Sequence, residues 1–359
     1  MPALPPTPDA RVDPAIPVAA AAACVEERAA EERVALAAKQ AGPLGIVSQL
    51  VKARLTALVL VTTAAGFALA SPFEIDWARF AWTILGTGLA ACAASMLNQL
   101  AEVARDGRMH RTRLRPLPAG RVGRMPVFAA GVALGYLGAA VLALQANLLA
   151  AALATLNLLV YVLVYTPLKP RTTLNTLVGA VTGAVPPLIG WAAASGELPL
   201  AAFVLAGILF VWQLPHFLAL AWMYRDDYHR GGFRMLPSID HEGRITSLVS
   251  LSGSLLLVPI GLLGVRLGVA GWWYGAASMA LALWLSWRAL RLWRDHSVER
   301  ARGVFMASLV YLPLLLAAMV LDRGPVSIRA WTDGGRPLEA IEVMPPAIDP
   351  TARPLGEGA

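Results

Sequence analysis

Three oxygen-bearing side chains recur at four-residue intervals in the stretch Asn98-Gln-Leu-Ala-Glu102-Val-Ala-Arg-Asp106. On an α-helix, positions i, i+4 and i+8 lie along one face. The stretch begins inside an apolar run and passes into a segment carrying Arg108, Arg111, Arg113 and Arg115. Helix-end polarity explains the arginines. It does not explain two carboxylates and an amide aligned at the edge of an apolar run, where ionisable groups are costly and by default functional. Hard oxygen ligands on one face, with guanidinium groups just beyond, suit a divalent cation bridging to a phosphate.

A second charged cluster reads Arg225-Asp226-Asp227-Tyr228-His229-Arg230. Its acids are either solvated loop charge neutralised by Arg225 and Arg230, or a counterpart of the first cluster. Between the two lies Tyr165-Thr-Pro-Leu-Lys169-Pro-Arg171, followed by Asn175. Lys169 and Arg171 either mark topology or supply point charges for phosphate. His216 stands in Trp212-Gln-Leu-Pro-His216-Phe217, inside an apolar run that Pro215 should kink. A cross-helix hydrogen bond, a proton relay and metal ligation all fit it. Gly179, Gly183 and Gly190 read as close helix packing, and Pro186-Pro187 as a local irregularity that shapes a cavity.

The elements that must position these groups are membrane helices. The chain is 57% hydrophobic and 15% charged, against about half and a quarter for a soluble domain. Apolar segments recur at 45–70, 77–101, 126–145, 148–165, 174–194, 200–222, 247–266, 269–289 and 303–321, most of them long enough to span about 30 Å. This predicts an all-α polytopic membrane bundle of nine helices, with flexible tails at 1–44 and 322–359. Residues 26–39 suit a short helix within the first tail. The loops after the second, fourth, sixth and eighth segments carry the Lys and Arg, and the alternate loops carry none. The charged loops and the N-terminus are therefore expected on the cytoplasmic side, and the C-terminus outside. The net charge of +7 reports topology, and no basic, aromatic-interleaved patch suggests a nucleic-acid partner. Cys24 and Cys92 offer neither a disulfide framework nor zinc spacing. Phosphate-loop, serine-elbow and zinc-protease motifs are absent.

The motifs together resemble those of the intramembrane aromatic prenyltransferases. The resemblance rests on Asn98-x3-Glu102-x3-Asp106-x2-Met109-x-Arg111-Thr112-x2-Arg115-Pro-Leu-Pro118 and on Tyr165-Thr-Pro-Leu-Lys169 with Asn175. It extends through Gly183-Ala-Val-Pro-Pro187 and Trp212 to His216, then through Asp227-Tyr228 to Leu236. It covers roughly 45–321. Within that superfamily the pattern is most similar to the branch that farnesylates haem. Glu102 replaces the superfamily's usual aspartate, and Arg230 stands where a second spaced acid is usual.

The resemblance implies a bundle around a central cavity, in a bacterial inner membrane. It implies transfer of farnesyl from farnesyl diphosphate to the 2-vinyl group of haem B, giving haem O and diphosphate. Mg²⁺ would be held by Asn98, Glu102, Asp106 and Asp227, with Arg115 and Lys169 on outer diphosphate oxygens. Arg111, Arg171, Asn175, His216, Arg225, Asp226 and Tyr228 would bind substrate. Lipid surrounds the bundle, and haem A synthase or a terminal oxidase is a candidate partner. A quinone-precursor or chlorophyllide prenyltransferase, and a non-catalytic carrier with charged helix ends, are the competing readings.

Overall fold

The computed structural model describes residues 42–71 and 74–323. Both expected tails beyond these limits, the short helix proposed within 26–39 and Cys24 lie outside the described residues. The rest is helical, with no strand among the described residues.

The first apolar segment is not one straight helix. It is broken into α1 (Pro43–Leu50) and α2 (Ala53–Leu69), bent by 54°. The break falls at Lys52, which takes the left-handed conformation at φ 48°. A hydropathy average over 45–70 hides this single residue. The second helix, α3 (Trp77–Asp106), is capped by Asp76, whose side chain accepts from Arg79 N at 2.9 Å. It outruns its expected end at 101 because no helix breaker intervenes before Gly107. Asn98, Glu102 and Asp106 are therefore all helical.

α4 (Arg124–Gln145) returns beside α3 at close range: a side chain on Gly138 would meet the Gly86 carbonyl and the Ala90 amide. Asn147 then caps α5 (Leu148–Leu168), accepting from Ala150 N and donating to the Ala192 carbonyl at 2.6 Å. The last turns of α5 widen into a π-helix over Val160–Tyr165, a feature often found at functional sites. α6 (Asn175–Ser195) stays helical through Pro186 and Pro187. Its small residues meet α2, with Gly190 against the backbone of Thr63 and Phe67, and Gly66 of α2 against Pro187.

α7 (Leu200–Met223) is buried to the same extent as α6 and carries Pro215 inside it. Leu205, Ile208 and Leu209 join Trp191, Tyr274, Leu285, Tyr311 and Leu315 in one continuous core. Two short helices follow, α8 (Arg225–Arg230) and α9 (Leu236–Ile239). α10 (Arg244–Arg266), α11 (Trp272–Arg294) and α12 (Val298–Leu321) complete the bundle.

With the bent α1–α2 pair counted as one, α3–α7 and α10–α12 bring the long helical units among the described residues to nine, the number expected. Among the described residues seven helices are long and apolar enough to cross a membrane, or eight with the bent α1–α2 pair. α11 is long enough at 23 residues. Its tryptophans and arginines leave it less apolar than these. The chain is a multi-pass membrane protein.

Candidate active site

The loops after α3, α5 and α7 converge at one end of the bundle. Asp227 of α8 reaches across to the α3–α4 loop, accepting from His110 N at 2.8 Å and Arg111 N at 3.1 Å. Arg234 donates its backbone N–H to the Lys169 carbonyl at 2.8 Å. Asn175 ties the same corner together, donating to the carbonyls of Thr172 at 2.6 Å and Arg234 at 2.9 Å.

Beneath this junction lies a cavity of about 390 Å³. Its charged end is lined by Lys52, Glu102, Asp106, Arg111, Arg115 and Lys169. Its other walls include Ala90, Ala94, Ala154, Leu158, Ile189 and Phe217, with His216 among them. The π-helical turn brings Tyr161 and Tyr165 into the wall. Gly179 leaves the room that the Tyr165 ring fills.

Glu102 and Asp106 are 5% and 2% exposed and one turn apart, as the spacing requires. Each carboxylate holds a cation. Lys169 Nζ lies 2.8 Å from Glu102 Oε1, and Arg115 Nη1 lies 2.8 Å from Asp106 Oδ2. Burial works against the Lys169 ammonium, but the Glu102 carboxylate outweighs it, with Tyr165 and Tyr161 behind. The lysine's pKa is therefore held well above its ordinary value. The ammonium also lies 4.6 Å from the centre of the Tyr165 ring. Arg111 rides over Tyr224 and Tyr228 at 5.3 and 5.9 Å, and Tyr228 lines the cavity.

Several expected site residues are placed otherwise. Among the described residues no three His, Cys, Asp or Glu side chains gather as a metal cluster, so Glu102, Asp106 and Asp227 are not assembled into one. The carboxylate of Asp227 is spent on two backbone amides and on Arg230 Nη2 at 2.8 Å. Burial alone would raise its pKa, yet Arg230 and the amides of Arg111 and His110 hold it below the usual carboxylate range. Asn98 is fully buried behind the cavity wall. Its Oδ1 accepts from Lys52 Nζ at 2.8 Å, and its Nδ2 donates to Thr166 Oγ1 at 3.0 Å.

Asn175 is buried as a loop clamp. Arg171 is exposed, Arg225 lies over the Trp222 ring at 4.6 Å, and the Asp226 side chain is 84% exposed. None of these four lines the cavity. The site gains Lys52, Tyr161 and Tyr165. Lys52 had one signal in the sequence, a basic side chain that stands with Arg54 inside an apolar run.

Glu102 and Asp106 supply buried hard oxygens on the cavity wall, and four cationic side chains stand around them. These two carboxylates fit a divalent cation, which would take the place of Lys169 and Arg115 on them and release both side chains toward an anion. The arrangement suits an amphiphile with a polyanionic head at the charged end and an apolar tail along the other walls.

Fold and site define an intramembrane helical transferase for such amphiphiles. Residues 59–309 match the model of the UbiA prenyltransferase family, and the chain belongs to that family. It is 41% identical over 284 residues to the protoheme IX farnesyltransferase of Solibacter usitatus, covering 77% of this chain and 97% of that protein. It is 47% identical over 272 residues to the protein of that name from Anaeromyxobacter sp., covering 76% and 91%. The human mitochondrial protoheme IX farnesyltransferase is 42% identical over 281 residues, covering 78% of this chain and 63% of the longer human protein.

Among solved structures, that of a digeranylgeranylglyceryl phosphate synthase shares the fold at TM-score 0.67 and 17% identity, covering 78% of this chain and 98% of that one. A UbiA homolog from Archaeoglobus fulgidus, bound to DMAPP and Mg²⁺, does so at 0.55 and 12%, covering 76% and 98%.

Proposed function

We propose that this chain transfers the farnesyl group of farnesyl diphosphate to the 2-vinyl group of haem B, giving haem O and diphosphate. The observation that carries this reading is the cavity with Glu102, Asp106, Arg115 and Lys169 at one end and His216 among its apolar walls. The relatives' names supply the acceptor. The setting is a bacterial inner membrane, with the charged end of the cavity facing the cytoplasm.

Farnesyl diphosphate would enter with its tail along the apolar walls. Glu102 and Asp106 would hold Mg²⁺, which neutralises the diphosphate and stabilises its charge as a leaving group. Arg115, Lys169 and Lys52 bind outer oxygens and stabilise the same developing charge. The C1–O bond breaks with its electrons passing to diphosphate. The apolar walls keep water from the allylic cation. The vinyl π electrons form the new bond to C1, leaving a cation on the carbon beside the porphyrin ring. Water adds there and loses a proton to solvent, which gives the hydroxyl of haem O. Asp227 acts at a distance, by pinning the loop that carries Arg111 and Arg115.

The test is incubation of purified protein with haem B, farnesyl diphosphate and Mg²⁺, followed by mass analysis of the haem. Haem O is expected, with EDTA silencing the reaction and Mg²⁺ restoring it. Asp106→Ala should remain folded and inactive at every Mg²⁺ concentration. Unchanged haem B from the wild type, with a quinone precursor or chlorophyllide prenylated instead, would redirect the assignment.

A further inference from the structure

Ser308 is fully buried on α12, opposite His216 of α7. Its hydroxyl oxygen lies 2.6 Å from the Phe305 carbonyl oxygen and 2.8 Å from His216 Nδ1. A serine hydroxyl has one proton. Two oxygens this close with no proton between them would meet lone pair to lone pair, so the proton points to Phe305. Ser308 Oγ is therefore the acceptor toward His216, and Nδ1 carries a hydrogen. In the neutral ring Nε2 then carries none.

The ring is also held on both faces. It stacks on Trp212 at 4.9 Å and 22°, and on Phe305 at 4.9 Å and 28°. Trp212 donates from Nε1 to the Ser308 carbonyl at 2.8 Å. One residue of α12 thus receives polar contacts from two residues of α7. The stack sets the plane of the ring, and the contact with Ser308 Oγ sets which edge carries Nδ1. Among the described residues nothing is hydrogen-bonded to Nε2, while the residue lines the cavity.

We propose that Ser308 is a positioning residue that fixes His216 as the Nδ1–H tautomer, so that Nε2 presents its lone pair to the iron of the haem substrate. The inference rests on the haem-farnesylating reading above. A hydrogen bond at the far nitrogen of a ligating histidine sets its tautomer and orientation and raises its basicity. His216 lies seven residues before the end of α7 at Met223, roughly 10 Å at 1.5 Å per residue. Ligation there would seat the tetrapyrrole within the bundle and leave the charged end to the diphosphate.

The full-length protein in detergent is tested in two ways. Nitrogen-15 spectra of labelled histidine, assigned by the signal lost in His216→Gln, should report Nδ1–H for the wild type. Nε2–H would overturn the inference. Haem B titration should give a histidine-ligated Soret band that His216→Gln loses. Ser308→Ala should bind haem about ten- to a hundredfold more weakly, melt close to the wild type and recover in Ser308→Thr. Wild-type affinity and band in Ser308→Ala would overturn the inference. So would an equal loss in Ser308→Thr with both variants melting early, because that marks a packing role. Haem O formation is scored in parallel. No product from the wild type removes the functional reading and this inference with it. Product with an unaltered Ser308→Ala spectrum removes the inference alone.

Discussion

The Nζ of Lys52 lies 2.8 Å from Oδ1 of Asn98, so the bend in the first span is tied to the helix that carries the carboxylates. Lys52 lies in left-handed backbone between α1 and α2, and its side chain lines the cavity with Glu102 and Asp106.

Two substitutions at this position separate backbone from side chain. A left-handed conformation costs a non-glycine residue about 1–2 kcal/mol. Lys52→Gly should therefore be more stable than Lys52→Ala by about 1 kcal/mol. Both lose the ammonium, and both should lose turnover on the order of a hundredfold, the usual cost of one donor to a developing anion. Melting curves and initial rates check the two halves separately. Full activity in the glycine variant would leave Lys52 with a structural role only.

The Glu102–Lys169 pair predicts opposite behaviour for stability and activity. Removing one partner strands a buried charge, at about 3–5 kcal/mol. Lys169→Met alone should therefore melt well below the wild type, and so should Glu102→Gln, where the ammonium is stranded. The double variant has no stranded charge and should regain most of that loss. Turnover should stay near background in all three. A double variant as unstable as the sum of the singles would show that the pair is not coupled.

Much of this site was legible because helical periodicity is local. The four-residue spacing of Asn98, Glu102 and Asp106 needed only that α3 continue past 101, and nothing before Gly107 stops it. Their partners were not legible: Lys169 meets Glu102 only once α5 has folded back beside α3. Asp227 looked like a metal ligand or solvated charge because its partners, the amides of His110 and Arg111, arrive from another loop. The bend at Lys52 disappeared into a hydropathy average. The ninth helix is present as α11, but its tryptophans and arginines make it less apolar than the other eight. His216 was left between a structural and a ligating role, and the hydroxyl that orients it lies on a helix far along the chain.

Asp227 gives a pH signature. Its folded pKa is depressed, so its stabilisation is fully present above the unfolded value of about 4. It is lost as pH falls through the still lower folded value. The melting difference between wild type and Asp227→Asn should thus be constant from about pH 9 to pH 5 and vanish in stronger acid. At pH 8 the variant should also be cut faster by trypsin at Arg111 and Arg113, because the loop has lost its anchor. A melting difference that grows on acidification has the wrong sign for this assignment.

Orientation is the last prediction. Ala119 lies in the loop after α3 and Ser195 at the far end of α6, and both are exposed. Arginine crowds the first loop and is absent between 172 and 224, so charge bias sets Ala119 in the cytoplasm and Ser195 outside. In a Cys24→Ser, Cys92→Ser background, single cysteines at the two positions distinguish the sides. An impermeant maleimide added to intact spheroplasts should label position 195 at once and position 119 only after lysis. Because α3 ends in Asp106 and leads directly into the 119 loop, the same experiment places the carboxylates. Labelling of 119 in intact spheroplasts would put the charged end of the cavity outside and require the diphosphate to arrive from there.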